Sequence, residues 1–194
     1  MPELFPLFSR PIFKTNIETN MVVLDKVKWA KNYTNNISES QNVLDLPEHS
    51  ALKHECEKAL NDYFYNVMGA EEYVKLRITE SWFNKTVNGE QHHRHWHPNS
   101  LYSAIVYLES DPNSGFTTFL TSNFDTIEYD IKDANLYNSR TWSFGGSKGD
   151  MLIFPSNVEH YVTPYEGKEP RITLSFNTFA EGVINKNNLT RLEL

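Results

Sequence analysis

The spacing of apolar residues changes near Gly69, and the change separates a helical segment from a strand-rich one. Upstream, Leu52, Cys56, Leu60, Phe64 and Val67 recur at intervals of four and three, the stripe of an amphipathic helix packed on a core. The pattern predicts a helix over residues 47–68, with Asp45 as its cap, Pro47 in the first turn and Gly69 as its stop. A shorter helix is expected over Met21–Lys31, where Val23, Val27 and Ala30 share a face. The first twenty residues carry Phe5, Leu7, Phe8, Ile12 and Phe13 between prolines, and read as a strand or extended arm laid on the core.

Downstream, Val74, Leu76 and Ile78 alternate with Lys75, Arg77 and Thr79, the period of a half-buried strand that continues to Trp82. Further short strands are expected over 101–108, 116–121, 126–131, 151–154, 158–162 and 171–179, separated by turn clusters at 111–115, 145–149 and 164–170. Gly145-Gly146-Ser147-Lys148-Gly149 lacks the spacing of a phosphate loop and no helical pattern follows it, so it reads as a hairpin turn. Helices first and many short strands after predict a mainly β (α+β) fold: a double-stranded β-helix, or cupin-like jelly roll, with flanking N-terminal helices. One domain is expected over 1–194, with an arm and helices in 1–70, the barrel in 71–180 and a tail in 181–194.

Composition narrows the function classes. With 39% apolar and 13% aromatic residues the chain has the material for an ordered core. The net charge of −7, with no basic stripe, argues against a nucleic-acid partner. Cys56 is the sole cysteine, so no intramolecular disulfide forms, and the reduced cytoplasm is the expected compartment. No run of 18 apolar residues and no basic leader with an apolar core is visible, so neither a membrane span nor a signal peptide is expected. The glycosylation-like triplets at Asn32, Asn84 and Asn188 read as chance matches.

The densest chemistry lies in Gln91-His92-His93-Arg94-His95-Trp96-His97-Pro98, which holds four of the seven histidines. Imidazole is the commonest metal ligand, and residues two apart in a strand share a face. His95 with His97, or in another register His93 with His95, could therefore grip one ion. A solvated histidine-rich loop is the bland alternative. Downstream, His160 follows a Pro-Ser-Asn turn at the mouth of a short strand, and gains weight only in combination with the cluster. In Arg171-Ile172-Thr173-Leu174-Ser175-Phe176-Asn177 the odd positions form one polar face. Such a face ordinarily meets water; inside a jelly roll it lines the bore, where an arginine fork with Thr173 beside it suits a carboxylate. Trp82, Trp96, Tyr102, Tyr107 and Trp142 are candidates for lining a pocket, although most strand aromatics serve the core.

In order, His95-Trp96-His97-Pro98-Asn99-Ser100, Ile105-Val106-Tyr107-Leu108, Gly149-Asp150-Met151-Leu152-Ile153-Phe154-Pro155-Ser156, His160 and Arg171-Ile172-Thr173-Leu174-Ser175-Phe176-Asn177 resemble the 2-oxoglutarate and Fe(II)-dependent oxygenase superfamily. Within it, they are similar to a branch abundant in marine phages and bacteria. The resemblance spans about residues 90–180 and touches Leu4-Phe5-Pro6. It implies a dioxygenase, a hydroxylase in outline, that takes Fe(II), 2-oxoglutarate and O₂; the motifs specify no prime substrate. It further implies His95, His97 and His160 as metal ligands, and Arg171, eleven residues beyond His160, as the anchor of the keto acid, helped by Thr173 and Tyr107. His97 stands where the superfamily has Asp or Glu, and neither Glu90 nor Glu159 has the motif's spacing. Three neutral imidazoles also suit Zn, Cu or Ni, so the alternative is a cupin-like metal-binding protein without redox activity, a ligand-binding or structural module.

Overall fold

The computed structural model describes residues 3–6, 8–121, 127 and 129–194. Among them lie twelve strands: β1 (Phe13–Asn16), β2 (Trp29–Asn32), β3 (Asn35–Ser38), β4 (Val74–Thr86), β5 (His92–His95), β6 (Tyr102–Glu109), β7 (Thr117–Leu120), β8 (Thr141–Phe144), β9 (Asp150–Pro155), β10 (His160–Val162), β11 (Arg171–Ile184) and β12 (Leu192–Glu193). One α-helix, α1 (Ser50–Asn61), precedes β4 and runs into a wider turn over Asp62–Val67. The larger sheet has the order β1-β9-β6-β11-β4-β3-β2 with β12 hairpinned onto β11, and the smaller has the order β5-β10-β7-β8. The ladders between these strands are antiparallel, and the two sheets make the sandwich of a jelly roll.

Alternation along the central strands decides what each sheet face does. In β6, Ala104, Val106 and Leu108 join Leu52, Cys56 and Leu60 of α1 in one buried cluster, while Ile105 and Tyr107 join Phe119, Leu152 and Phe154 in a second cluster between the sheets. In β11, Leu174 and Phe176 face the helix. Arg171, Thr173, Ser175 and Asn177 are nonetheless buried, so the polar face of this strand lines the interior. Leu→Ala changes in the α1 stripe should each cost about 2–5 kcal/mol, the usual range for buried leucines.

Several expectations need correction. Met21–Lys31 is not helical: it makes turns closed by Val22 N–H to Thr19 O and Val27 N–H to Leu24 O, then enters β2, whose Trp29 pairs with Ser38 of β3. Extension of the sheet overrides a stripe of three apolar residues. Among the described residues one α-helix therefore flanks the sandwich, where two were expected. Asp45 does not cap α1; its carboxylate pairs with Lys53 at 2.7 Å, it ends a short 3₁₀ turn over Val43–Asp45, and a second such turn, Pro47–His49, separates it from the helix. Of the N-terminal arm, Ile12 and Phe13 pack on the core, whereas Leu4, Phe5 and Phe8 are exposed. Gly69 ends the helical segment with φ of +66°. The strand expected over 126–131 falls partly outside the described residues, and those described there form none.

Candidate active site

β5 pairs with β10 through an irregular register: His95 opposes His160, but Val162 opposes His92. Two steps along β10 thus match three along β5, which is a β-bulge. Strict alternation would turn His92 and His95 to opposite faces. With one extra residue between them, both turn inward, and their rings stack at 4.6 Å. His97 lies just past the strand, where its N–H donates to Ser156 O at 2.9 Å. Arg94 and Glu159 clamp the two strands from the outer side with an ion pair.

His95, His97 and His160 each present a ring nitrogen, and these atoms lie within 4.8 Å of one another. Ring centroids are 4.4 Å apart for His95 and His160, 5.1 Å for His95 and His97, and 5.2 Å for His97 and His160. His95 Nδ1 is 2.8 Å from His93 O, and His160 Nδ1 is 3.1 Å from Val158 O. A carbonyl only accepts, so Nδ1 carries the proton in both rings and Nε2 keeps its lone pair for a ligand. Burial of the charged form, reinforced by the neighbouring imidazoles, lowers the pKa of all three; His97 falls to about 3, and His92 beside them likewise falls to about 3. Neutral rings with free lone pairs are what a divalent transition metal requires.

Arg171 lies one layer along the bore. It is 2% exposed, its pKa is lowered by burial, and it pairs with no carboxylate among the described residues. Its Nη2 reaches Thr117 Oγ1 at 3.4 Å, while its Nε is buried without a partner. The guanidinium lies 5.1 Å from the centre of the Tyr107 ring, whose hydroxyl bonds Thr117 Oγ1 at 2.8 Å. Gly146 supports that ring from another side, since a Cβ there would sit 2.4 Å from it. The loop read from sequence as a hairpin turn thus acts as a floor under Tyr107, and Tyr107 holds Arg171.

Thr173, Ser175, Asn84, Trp82 and Ile105 complete a small cavity shared by His92, His95, His97, His160 and Arg171. Its volume is about 20 Å³, room for about one water. A dicarboxylate needs more, so binding there requires side chains to move apart. A cleft of about 530 Å³ opens beside His95 and His97, rimmed by Asn32, Gln41, Glu80 and Asn99. A larger hollow, about 640 Å³, lies against α1 and includes no histidine. Of the aromatic candidates, Trp82 lines the cavity, Tyr102 packs on Tyr63 on the helix side, and Trp96 and Trp142 are exposed. His92 was legible in the sequence only as a flanking residue, because its inward turn depends on the bulge.

A jelly roll with clustered neutral histidines in its bore and a buried arginine one layer further along has the architecture of the 2-oxoglutarate oxygenases. The chain belongs to the family described as "Putative 2OG-Fe(II) oxygenase", whose profile matches residues 80–177. It is an enzyme of that family, whose cofactors are Fe(II) and 2-oxoglutarate. No curated protein matches the sequence. Among solved structures, an oxidoreductase of the 2OG-Fe(II) oxygenase family from Burkholderia pseudomallei is similar, with a TM-score of 0.56 and 11% identity over 79% of this chain and 72% of the other. HygX from Streptomyces hygroscopicus, solved with nickel, 2-oxoglutarate and hygromycin B, has a TM-score of 0.54 and 13% identity over 79% and 74% of the two chains. The epimerase SnoN, in complex with Fe³⁺, α-ketoglutarate and nogalamycin RO, has a TM-score of 0.55 and 13% identity over 87% and 78%. At these identities the likeness concerns the fold.

Proposed function

We propose that His95, His97 and His160 hold the iron of an Fe(II) and 2-oxoglutarate-dependent hydroxylase. Arg171, with Thr173 beside it, binds the distal carboxylate of the keto acid, and Tyr107 acts by fixing Arg171. The observation that carries this reading is the buried guanidinium without a carboxylate partner, facing three neutral imidazoles across one cavity. An isolated buried charge is costly; a dicarboxylate spanning the bore would neutralise it and satisfy the orphan Nε. The donor set fits the metal as well, because the Nδ1 bonds of His95 and His160 leave both Nε2 atoms free.

Iron and 2-oxoglutarate together would supply the oxidising chemistry, in which the keto acid would lose CO₂ and take one atom of O₂ to become succinate, leaving the other for a substrate C–H bond. The chain's own residues bind, orient and exclude water. Phe119 and Phe154 pack against the His160 ring, and Trp82 covers His97. The cleft at His97 is the route by which a prime substrate reaches the site. Three neutral imidazoles leave the bound cation its full double charge, so the keto acid's affinity should depend steeply on the metal.

Cys56 is the sole cysteine and is free and buried, and a chain without an intramolecular disulfide suits the reduced cytoplasm proposed for it. Among the described residues no helix is long and apolar enough to cross a membrane.

Calorimetry with 2-oxoglutarate, with and without Mn(II) as a redox-silent stand-in, tests the assignment. Keto-acid binding only with metal present is expected, followed by slow succinate release with Fe(II) in air. Absence of binding with metal would overturn the reading. Arg171→Ala should keep the metal and lose the keto acid; a metal-binding module without redox activity would keep both metal and ligand.

A further inference from the structure

The bulge in β5 assembles a second group of three imidazoles. His92, His93 and His95 each offer a ring nitrogen, again all within 4.8 Å of one another. The ring centroids are 4.6 to 5.1 Å apart, within the 4.4 to 5.2 Å of the inner triad. His93 is exposed and gives an ion a path from solvent, whereas His92 is half-buried and stacks on His95. Among the described residues, neither His92 nor His93 commits a ring nitrogen to a hydrogen bond, and the Tyr33 ring meets His93 edge-on at 5.0 Å. The nearby carboxylate of Glu90 is engaged by Lys31 and the Val87 N–H. The group is therefore an all-nitrogen set, which suits borderline divalent ions such as Zn(II), Ni(II) or Co(II) better than Mg(II) or Ca(II).

His95 belongs to both triads and has one nitrogen to give, because Nδ1 is spent on His93 O. We infer that His92, His93 and His95 form an outer site for a borderline divalent cation, exclusive of the inner site because both need the Nε2 atom of His95. This rests on the assignment of the inner triad to iron. The outer site would take an ion from solvent through His93, and an ion held there would block loading of the inner one.

Equilibrium dialysis with Zn(II) alone tests the inference. Wild type should bind one equivalent. His160→Ala and His97→Ala should each still bind close to one, and adding His93→Ala to either should weaken Zn(II) at least tenfold. His97 is half-exposed, so its variant keeps the test in hand if the change at buried His160 unfolds the chain. His93→Ala alone should bind one Zn(II) and retain metal-dependent 2-oxoglutarate binding. Unchanged affinity on adding His93→Ala to both inner-site variants would overturn the outer site while leaving the iron assignment intact. Two equivalents in wild type would overturn exclusivity. Loss of 2-oxoglutarate binding in His93→Ala alone would move the iron to the outer triad and overturn both readings.

Discussion

A guanidinium taken from water into a protein interior loses its hydration, and the loss is recovered only where an anion replaces the water. Arg171 makes that move beside Thr117, the Tyr107 face and the close approach of Gly115, none of which carries a counter-charge. A residue kept for stability would not be placed so. Arg171→Met should therefore leave the melting temperature of the metal- and keto-acid-free protein unchanged or raised, while abolishing the stabilisation that 2-oxoglutarate gives with Mn(II). Saturation at a hundred times Kd should add about 2.7 kcal/mol to wild type and nothing measurable to the variant. Arg171→Lys keeps a charge but not the fork, and should bind 2-oxoglutarate at least tenfold more weakly. Parallel thermal melts with and without ligand check both; a large loss of stability in ligand-free Arg171→Met would mark the arginine as structural.

At the scale of the element, β11 and β5 show what the sequence could and could not disclose. The strict alternation after Arg171 was readable, but its polar face was compatible with solvent or bore until β4 and β6 were seen on either side of it. The histidine motif was readable because ligands in a strand keep fixed spacing. The inward turn of His92 was not, since it depends on an extra residue between pairs of a ladder whose partner, β10, lies some 65 residues downstream. The helix expected over Met21–Lys31 gives way to a hairpin: β2 folds back on β3 across Tyr33-Thr34, and β3 in turn joins β4, about 50 residues downstream, a non-local pairing that outweighs a short stripe. Gly146 belongs here too, as a glycine required by close approach. Gly146→Ala would drive a methyl into the Tyr107 ring, which must shift and carry Arg171 with it. The expected outcome is weaker 2-oxoglutarate binding, by about tenfold or more, with metal affinity unchanged, measured by calorimetry on the Mn(II)-loaded protein. The exposed Arg94–Glu159 pair, by contrast, should contribute little to stability, because solvent and salt screen it.

For the whole molecule, the histidine cluster ties folding to pH. In the unfolded chain His92, His95, His97 and His160 titrate near the ordinary value of about 6.5. In the fold all four are lowered by burial, His92 and His97 to about 3. Between those limits the unfolded chain binds more protons than the folded one, so stability falls as pH drops through 6.5 towards 3 and is flat with respect to these groups above about 7.5. Urea midpoints in the presence of a chelator should therefore be equal at pH 8 and 7.5 and decline from pH 6.5 to 5. Each histidine contributes up to about 1.4 kcal/mol per pH unit in that window. His92→Gln removes one of the four, and the slope between pH 6 and 5 should flatten by about that amount. Added Zn(II) should raise the midpoint at pH 7.5 and do progressively less on acidification, because protons compete for the same lone pairs. A midpoint that stays constant from pH 7.5 to 5 would mean that the four rings are solvated, and the packed neutral cluster on which the metal assignment depends would not exist in solution.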